Sequence, residues 1–173
     1  RNRALRTFNR ELDQRVKQRT IELEHANSQL KVLAIRDELT GLHNRRFALS
    51  AVDELWIEAR RDGTPFSVLM LDADRFKPVN DHFGHAVGDA LLQALASRLR
   101  DAVRTSDFVY RLGGDEFLVI CPRSPLAGAM LVAEKILAAR EPFSTPDGVV
   151  CWDGAISIGV AAMARATMAR PPR

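Results

Sequence analysis

Apolar and polar positions alternate along the chain with two different periods, and the change of period divides it. From Arg3 to about Ile35 there is no Gly or Pro, and apolar residues recur in steps of four and three. Val16, Leu23 and Leu30 take one seam position; Leu5, Leu12, Ala26 and Leu33 take the other. A narrow two-position seam with charged flanks predicts a coiled-coil helix, roughly 50 Å long at about 1.5 Å per residue. Asn9 falls on the seam as a register-fixing polar residue, and Arg19 weakens it. The alternative is a helix packed on its own domain, which a broader apolar face would favour.

Beyond Gly41 the pattern shortens. Phe47, Val52, Leu55, Trp56 and Ala59 share one side of a helix predicted from about Arg46 to Arg61, ended by Asp62-Gly63-Thr64-Pro65. Phe66 to Leu71 is nearly all apolar, as a strand buried on both faces is. A short helix is predicted over Phe76–Phe83 with Pro78 in its first turn, and a longer one from about Gly88 to Val103. Phe108–Tyr110 and Phe117–Ile120 flank Gly113-Gly114, a hairpin signal, since Gly takes positive φ without a Cβ clash. A helix over Pro125–Arg140 and a second hairpin, Val149–Trp152 with Ala155–Val160, complete an α+β sheet flanked by helices.

Composition narrows the class. A length of 173 residues fits one ordinary domain, residues 37–173, plus the helical extension, residues 1–36. The net charge of +3 is too small to argue for nucleic acid. No apolar run is long enough to span a bilayer and no secretory signal is present, so a cytoplasmic location is expected, with membrane anchoring of the full-length protein left open. Cys121 and Cys151 lie in apolar runs without metal spacing, which predicts buried free thiols. A start at Arg1 without Met suggests a piece of a longer protein.

Two acidic clusters carry the candidate chemistry. Asp115-Glu116 sits at the hairpin tip and Asp72-Ala73-Asp74 ends a strand. If the strands are neighbours the clusters converge, and oxygen-only ligands suit Mg²⁺, which binds through one or two carboxylates and keeps positions for water and phosphate. A solvated turn would explain an isolated Asp-Glu equally well.

Five spaced motifs give the clusters a context. They are Asp37-Glu38-Leu39-Thr40-Gly41-Leu42-His43-Asn44-Arg45-Arg46, Asp72-Ala73-Asp74-Arg75-Phe76-Lys77-Pro78-Val79-Asn80-Asp81, Gly84-His85-Ala86-Val87-Gly88-Asp89, Arg111-Leu112-Gly113-Gly114-Asp115-Glu116-Phe117, and Ser157-Ile158-Gly159-Val160. In this order they resemble the GGDEF family, the diguanylate cyclases, from about Arg36 to Ala161. The resemblance implies a palm-like fold with a mainly antiparallel central sheet. It also implies condensation of two GTP into cyclic di-GMP with release of two pyrophosphates. The alternative within the family is an inactive module that only binds GTP or cyclic di-GMP, and the retained Asp115 and Glu116 favour the enzyme. A third possibility is a signalling coiled coil whose globular part serves mainly for dimerisation. The segment from Arg15 to Leu23 looks like the linker helix that joins such domains to an upstream sensor, and implies a homodimer through the N-terminal helix.

The resemblance also implies roles. Asp72, Asp115 and the Ala73 carbonyl would hold two Mg²⁺ per site, or Mn²⁺, with Glu116 a second metal ligand or the general base. Lys77 and the N–H groups near Arg75 and Phe76 would meet the phosphates. Asn80 and Asp89 match the family's guanine readers, and His85 a substrate contact, although a helix cap and a loop hydrogen bond are the plainer readings of Asn80 and His85. Arg45 and Asp37 read as a structural pair locking the linker helix. Arg104 and Asp107 match the family's product-inhibition site, where the plainer reading is an ordinary helix end. Two features depart from the family. Arg75 stands where an aromatic is common. The family's last helix, with its Ala-Leu-Tyr-x-Ala-Lys pattern, is not found after Val160, so that helix is expected to be missing and the activity of this fragment is open.

Overall fold

The computed structural model describes residues 14–22 and 35–163. It divides into two units, Arg1–Arg36 and Asp37–Arg173. In the first, residues 14–22 form helix α1, with Val16 62% and Ile21 60% exposed. Along α1 the Thr20 hydroxyl donates to the Val16 carbonyl and Arg19 pairs with Glu22. The remaining coiled-coil positions lie outside the described residues, as does the segment after Met163.

The second unit is built on a five-stranded sheet. In chain order the elements are β1 (His43–Asn44), α2 (Arg45–Asp62), β2 (Phe66–Ala73), α3 (Phe76–Phe83), α4 (His85–Ala102), β3 (Phe108–Gly113), β4 (Glu116–Pro122), α5 (Leu126–Ala138), β5 (Phe143–Ser144), β6 (Val150–Trp152) and β7 (Ile156–Met163). The strand order is β1-β3-β4-β2-β7, with β1 parallel to β3 and every other pairing antiparallel. This is the mainly antiparallel α+β sheet expected, with β2 between β4 and β7.

Each element follows from its residues. Asn44 caps α2 by accepting the N–H of Phe47 at 3.1 Å, and Gly63 closes it at φ 79° with Arg60 and Arg61 in the last turn. In β2 the side chains of Leu69, Leu71 and Ala73 are buried together, while Met70 and Asp72 alternate to the other face. The larger core lies between the sheet and α3, α4 and α5, around Leu71, Leu91, Leu95, Leu99, Phe117 and Ile136. A smaller one, Ala48, Tyr110, Leu118 and Ile120, lies under α2 on the opposite face.

Several expectations need correction. The second hairpin does not form: β6 pairs with the short β5, while β7 crosses to run antiparallel beside β2. Asp153-Gly154 is locally a hairpin turn, but the eight-residue ladder on β2 outweighs a three-residue one on β6. Helix α4 starts at His85, not Gly88, because Gly84 at φ 82° ends α3 and opens α4 with no linker between them. Asp37 does not pair with Arg45; its ion pair is with Arg111, whose Nη1 lies 3.1 Å from Oδ1. Cys121 and Cys151 are both free, as expected, but only Cys121 is fully buried, and burial pushes its thiol up to about 12.

Candidate active site

The hairpin between β3 and β4 turns through Gly114-Asp115, with Gly113 at φ 142° and Gly114 at φ 53°. A side chain at either position would be strained, so the Gly-Gly pair is what permits so tight a turn. A bulge between Arg111 and Gly113 re-aims the tip. Arg111 then braces it. Its Nε and Nη2 donate to the Gly114 carbonyl at 3.0 and 2.9 Å, and its Nη1 donates to both Asp37 oxygens at 3.1 and 3.2 Å. Asp37 also accepts the N–H and hydroxyl of Thr40, at 2.9 and 2.6 Å. Burial alone would push the Asp37 carboxyl up; the Thr40 bonds and the Arg111 charge outweigh it and hold the group below the usual carboxylate value.

The β2–β4 register places Asp72 directly opposite Glu116, and the β2–β7 register places Asp72 opposite Ser157. The Ala73 N–H donates to the Asp115 carbonyl at 3.3 Å, which ties the end of β2 to the hairpin tip. The two acidic clusters therefore meet at one end of the sheet. Burial, then the charges of Asp115, Asp74 and Glu116, raise the Asp72 carboxyl above its ordinary value. A divalent ion bound among these carboxylates would relieve their mutual repulsion. Among the described residues no three His, Cys, Asp or Glu side chains form a ready-made cage. An open arrangement suits Mg²⁺, whose shell is completed by backbone carbonyl, water and phosphate.

Next to the carboxylates, α3 begins at Phe76 with no side-chain cap, and Lys77 is exposed in its first turn. An uncapped N-terminus leaves N–H donors for an anion. One turn further along α3, Asn80 Oδ1 is buried without a hydrogen-bond partner. A Cβ on Gly88 would stand 1.9 Å from that oxygen, so the glycine is what lets the Asn80 amide lie against α4. His85 and Asp89 are exposed on the first turns of α4. Arg104 and Asp107 lie apart from this cluster in sequence and form a turn beyond α4, where the Asp107 carboxylate accepts the Arg104 N–H at 3.1 Å. Arg104 lies past the last residue of α4, so it is not in the helix's final turn.

Asp74, which the sequence offers only as a member of an acidic cluster, has a role of its own: its carboxylate accepts the Ser157 hydroxyl at 2.6 Å and its carbonyl accepts Trp152 Nε1–H at 2.8 Å. Its place inside the Asp72-Ala73-Asp74 cluster was the available signal.

A family model described as "Diguanylate cyclase, GGDEF domain" matches residues 34–170. The chain belongs to the GGDEF family. The response regulator PleD of Caulobacter vibrioides is 45% identical over 134 residues, which are 76% of this chain and 30% of PleD. The diguanylate cyclase TpbB of Pseudomonas aeruginosa is 38% identical over 141 residues, 80% of this chain and 32% of TpbB. The chain thus spans about a third of the length of these curated relatives. Among solved structures, the coiled coil and GGDEF domain of DgcB from Caulobacter crescentus in complex with c-di-GMP matches with a TM-score of 0.79 at 28% identity, covering 88% of this chain and 83% of that one. Diguanylate cyclases of this family work with divalent metal ions. No helix among the described residues is long and apolar enough to cross a membrane.

Proposed function

We propose that this GGDEF domain is a diguanylate cyclase that condenses two GTP into cyclic di-GMP and releases two pyrophosphates. The observation that carries the reading is the meeting of Asp72, Asp115 and Glu116 at one sheet end, with the Asp72 carboxyl raised by burial and then by the neighbouring carboxylates. Asp72, Asp115, Glu116 and the Ala73 carbonyl would hold two Mg²⁺. The ions would supply Lewis-acid stabilisation of the attacking and leaving oxygens.

This chain's residues do the rest. Lys77 and the N–H groups at the start of α3, by Arg75 and Phe76, hold the phosphates. Asn80 and Asp89 read guanine, with the unpaired Asn80 Oδ1 offering an acceptor to the base's amino group. His85 contacts the substrate from the start of α4. Glu116 is a metal ligand or takes the proton from the 3′-hydroxyl. That oxygen attacks the α-phosphate of the other nucleotide, one P–O bond forms and the bond to pyrophosphate breaks. Each domain binds one GTP, so two domains must face each other. A homodimer through residues 5–33 brings them to one place and would answer an upstream sensor. Cyclic di-GMP binding at Arg104 and Asp107 would return inhibition, because a ligand preferring a non-productive arrangement shifts the population toward it.

The test is incubation of the protein with GTP and Mg²⁺. Cyclic di-GMP that disappears with chelator supports the reading. Binding of GTP with no product in the dimer turns it into the binding-module reading.

A further inference from the structure

The loop Asp74-Arg75 joins the metal-side end of β2 to the phosphate-side start of α3. Its shape decides where the Ala73 carbonyl and the first N–H groups of α3 point. That shape is an uncomfortable one. Arg75 adopts φ 62°, ψ 26°, a left-handed conformation that a residue with a Cβ keeps only where its surroundings impose it.

The imposing contacts come from the end of β6, the turn that follows it and the start of β7. The Trp152 Nε1–H donates to the Asp74 carbonyl at 2.8 Å, and the Asp74 N–H donates to the Ala155 carbonyl at 3.1 Å. The Ser157 hydroxyl donates to Asp74 Oδ1 at 2.6 Å. Arg75 itself is ion-paired to Asp153. Asp153 is in turn held by Arg140, whose Nη2 lies 2.9 Å from its carboxylate and whose Nε donates to its carbonyl at 2.8 Å. The Asp153 carboxylate also accepts the Ala155 N–H at 3.2 Å, closing the turn. Trp152 is buried, and the Arg98 guanidinium lies 5.4 Å from its ring centroid.

Packing explains only part of this arrangement: Trp152 and Ile156 belong to the larger core, while Asp74, Arg75 and Asp153 do not. Clefts of about 320 and 290 Å³ border the segment, one lined by Arg75, Val79 and Asp153, the other by Asp74, Arg140 and Ile156. The residues of the turn that lie outside the core depend on these directed bonds for their position, and should shift when the bonds are removed.

We propose that the β6–β7 turn is a clamp on the triphosphate-binding loop, with Trp152, Asp153 and Ser157 as positioning residues. The proposal rests on the cyclase reading and deepens it. The clamp fixes Arg75 in its left-handed conformation, and so aims the α3 N-terminus at the phosphates and the Ala73 carbonyl at the metal. It does not touch the guanine side, where Asn80 rests on Gly88. Releasing it therefore weakens the hold on phosphate and metal and spares the base.

The test separates those two halves of the ligand. Trp152→Phe keeps a six-membered aromatic ring and removes the pyrrole N–H; Asp153→Asn keeps the size and removes the charge. Binding of a non-reacting α,β-methylene GTP analogue with Mg²⁺ and of guanosine alone is followed by NMR titration on parent and variants. The expected result is a roughly fivefold or greater loss for the triphosphate, the scale of one lost hydrogen bond, with guanosine unchanged. Equal losses for both ligands, or no loss for either, overturn the clamp. Ser157→Ala, on an exposed position, gives the same comparison where Trp152→Phe fails to fold. A parent that binds the analogue but makes no cyclic di-GMP overturns the cyclase reading and leaves this comparison standing. A parent that binds neither ligand overturns both.

Discussion

Removing the Arg111 guanidinium should loosen the catalytic hairpin and the start of the domain together. Arg111 bonds to both: two of its nitrogens hold the Gly114 carbonyl and the third holds Asp37. The pair is shielded, with side-chain exposures of 12% and 22%, so screening removes only part of its worth. A hydrogen bond to a charged group contributes about 1.5–3 kcal/mol net, and Asp37 keeps its Thr40 donors after the loss. Arg111→Ala should therefore cost ~2–3 kcal/mol, a fall in Tm of roughly 7–10 °C for a domain of this size. Calorimetry on Arg111→Ala, Asp37→Asn and the double variant gives the coupling, expected at ~1–2 kcal/mol. The pH dependence gives an independent check. Asp37 is held below its unfolded value of about 3.9, so its contribution is present above pH 4 and is lost as pH falls through the folded value. That acid-side loss should be smaller in Asp37→Asn. A coupling under ~0.3 kcal/mol would refute the brace, because residues in direct contact do not normally behave additively.

Other expectations follow from the site. Asp72 titrates in the opposite sense: its raised value makes its contribution favourable at low pH and lost as pH rises through the folded value. Since a like-charged cross-strand pair costs about 0.2–1 kcal/mol and this one is exposed, Asp72→Asn should raise the Tm of the metal-free protein at pH 7 by roughly 1–3 °C, and Mg²⁺ should stabilise only the parent. Gly88→Ala places a methyl against Asn80 Oδ1, so the affinity for guanine nucleotides should fall roughly tenfold, read by calorimetry; unchanged affinity would remove Asn80 from the base pocket. Arg104→Ala should lose cyclic di-GMP binding in calorimetry, and equal binding by parent and variant would reduce that stretch to a turn.

How much of this was legible in the sequence depended on range. The strands β2, β3 and β4 announce themselves as apolar runs, and the Gly113-Gly114 pair marks the turn between the last two, because these signals are local. The meeting of Asp72 with Glu116 followed once the two strands were neighbours. The pairing of β7 with β2 was not legible, since Asp153-Gly154 is a good local turn and nothing in Ile156–Met163 encodes its partner. The Asp37–Arg111 pair spans 74 positions, and an arginine lies much nearer to Asp37 in the chain. The two-residue strands β1 and β5 are too short for any periodicity to show. Asp74 looked like one more member of an acidic cluster; its bonds to Trp152 and Ser157 appear only when β6 and β7 are in place.

The carboxylates at the sheet end are central to the proposed chemistry, and one measurement addresses them directly. Parent and Asp115→Ala are incubated with GTP and Mg²⁺, and cyclic di-GMP and pyrophosphate are quantified beside the Tm of each protein. The expected result is one cyclic di-GMP for two pyrophosphates from the parent and none from the variant. The two Tm values should agree within about 2 °C, because Asp115 sits at a turn outside both cores. A variant that makes cyclic di-GMP at the parent rate would contradict the central claim.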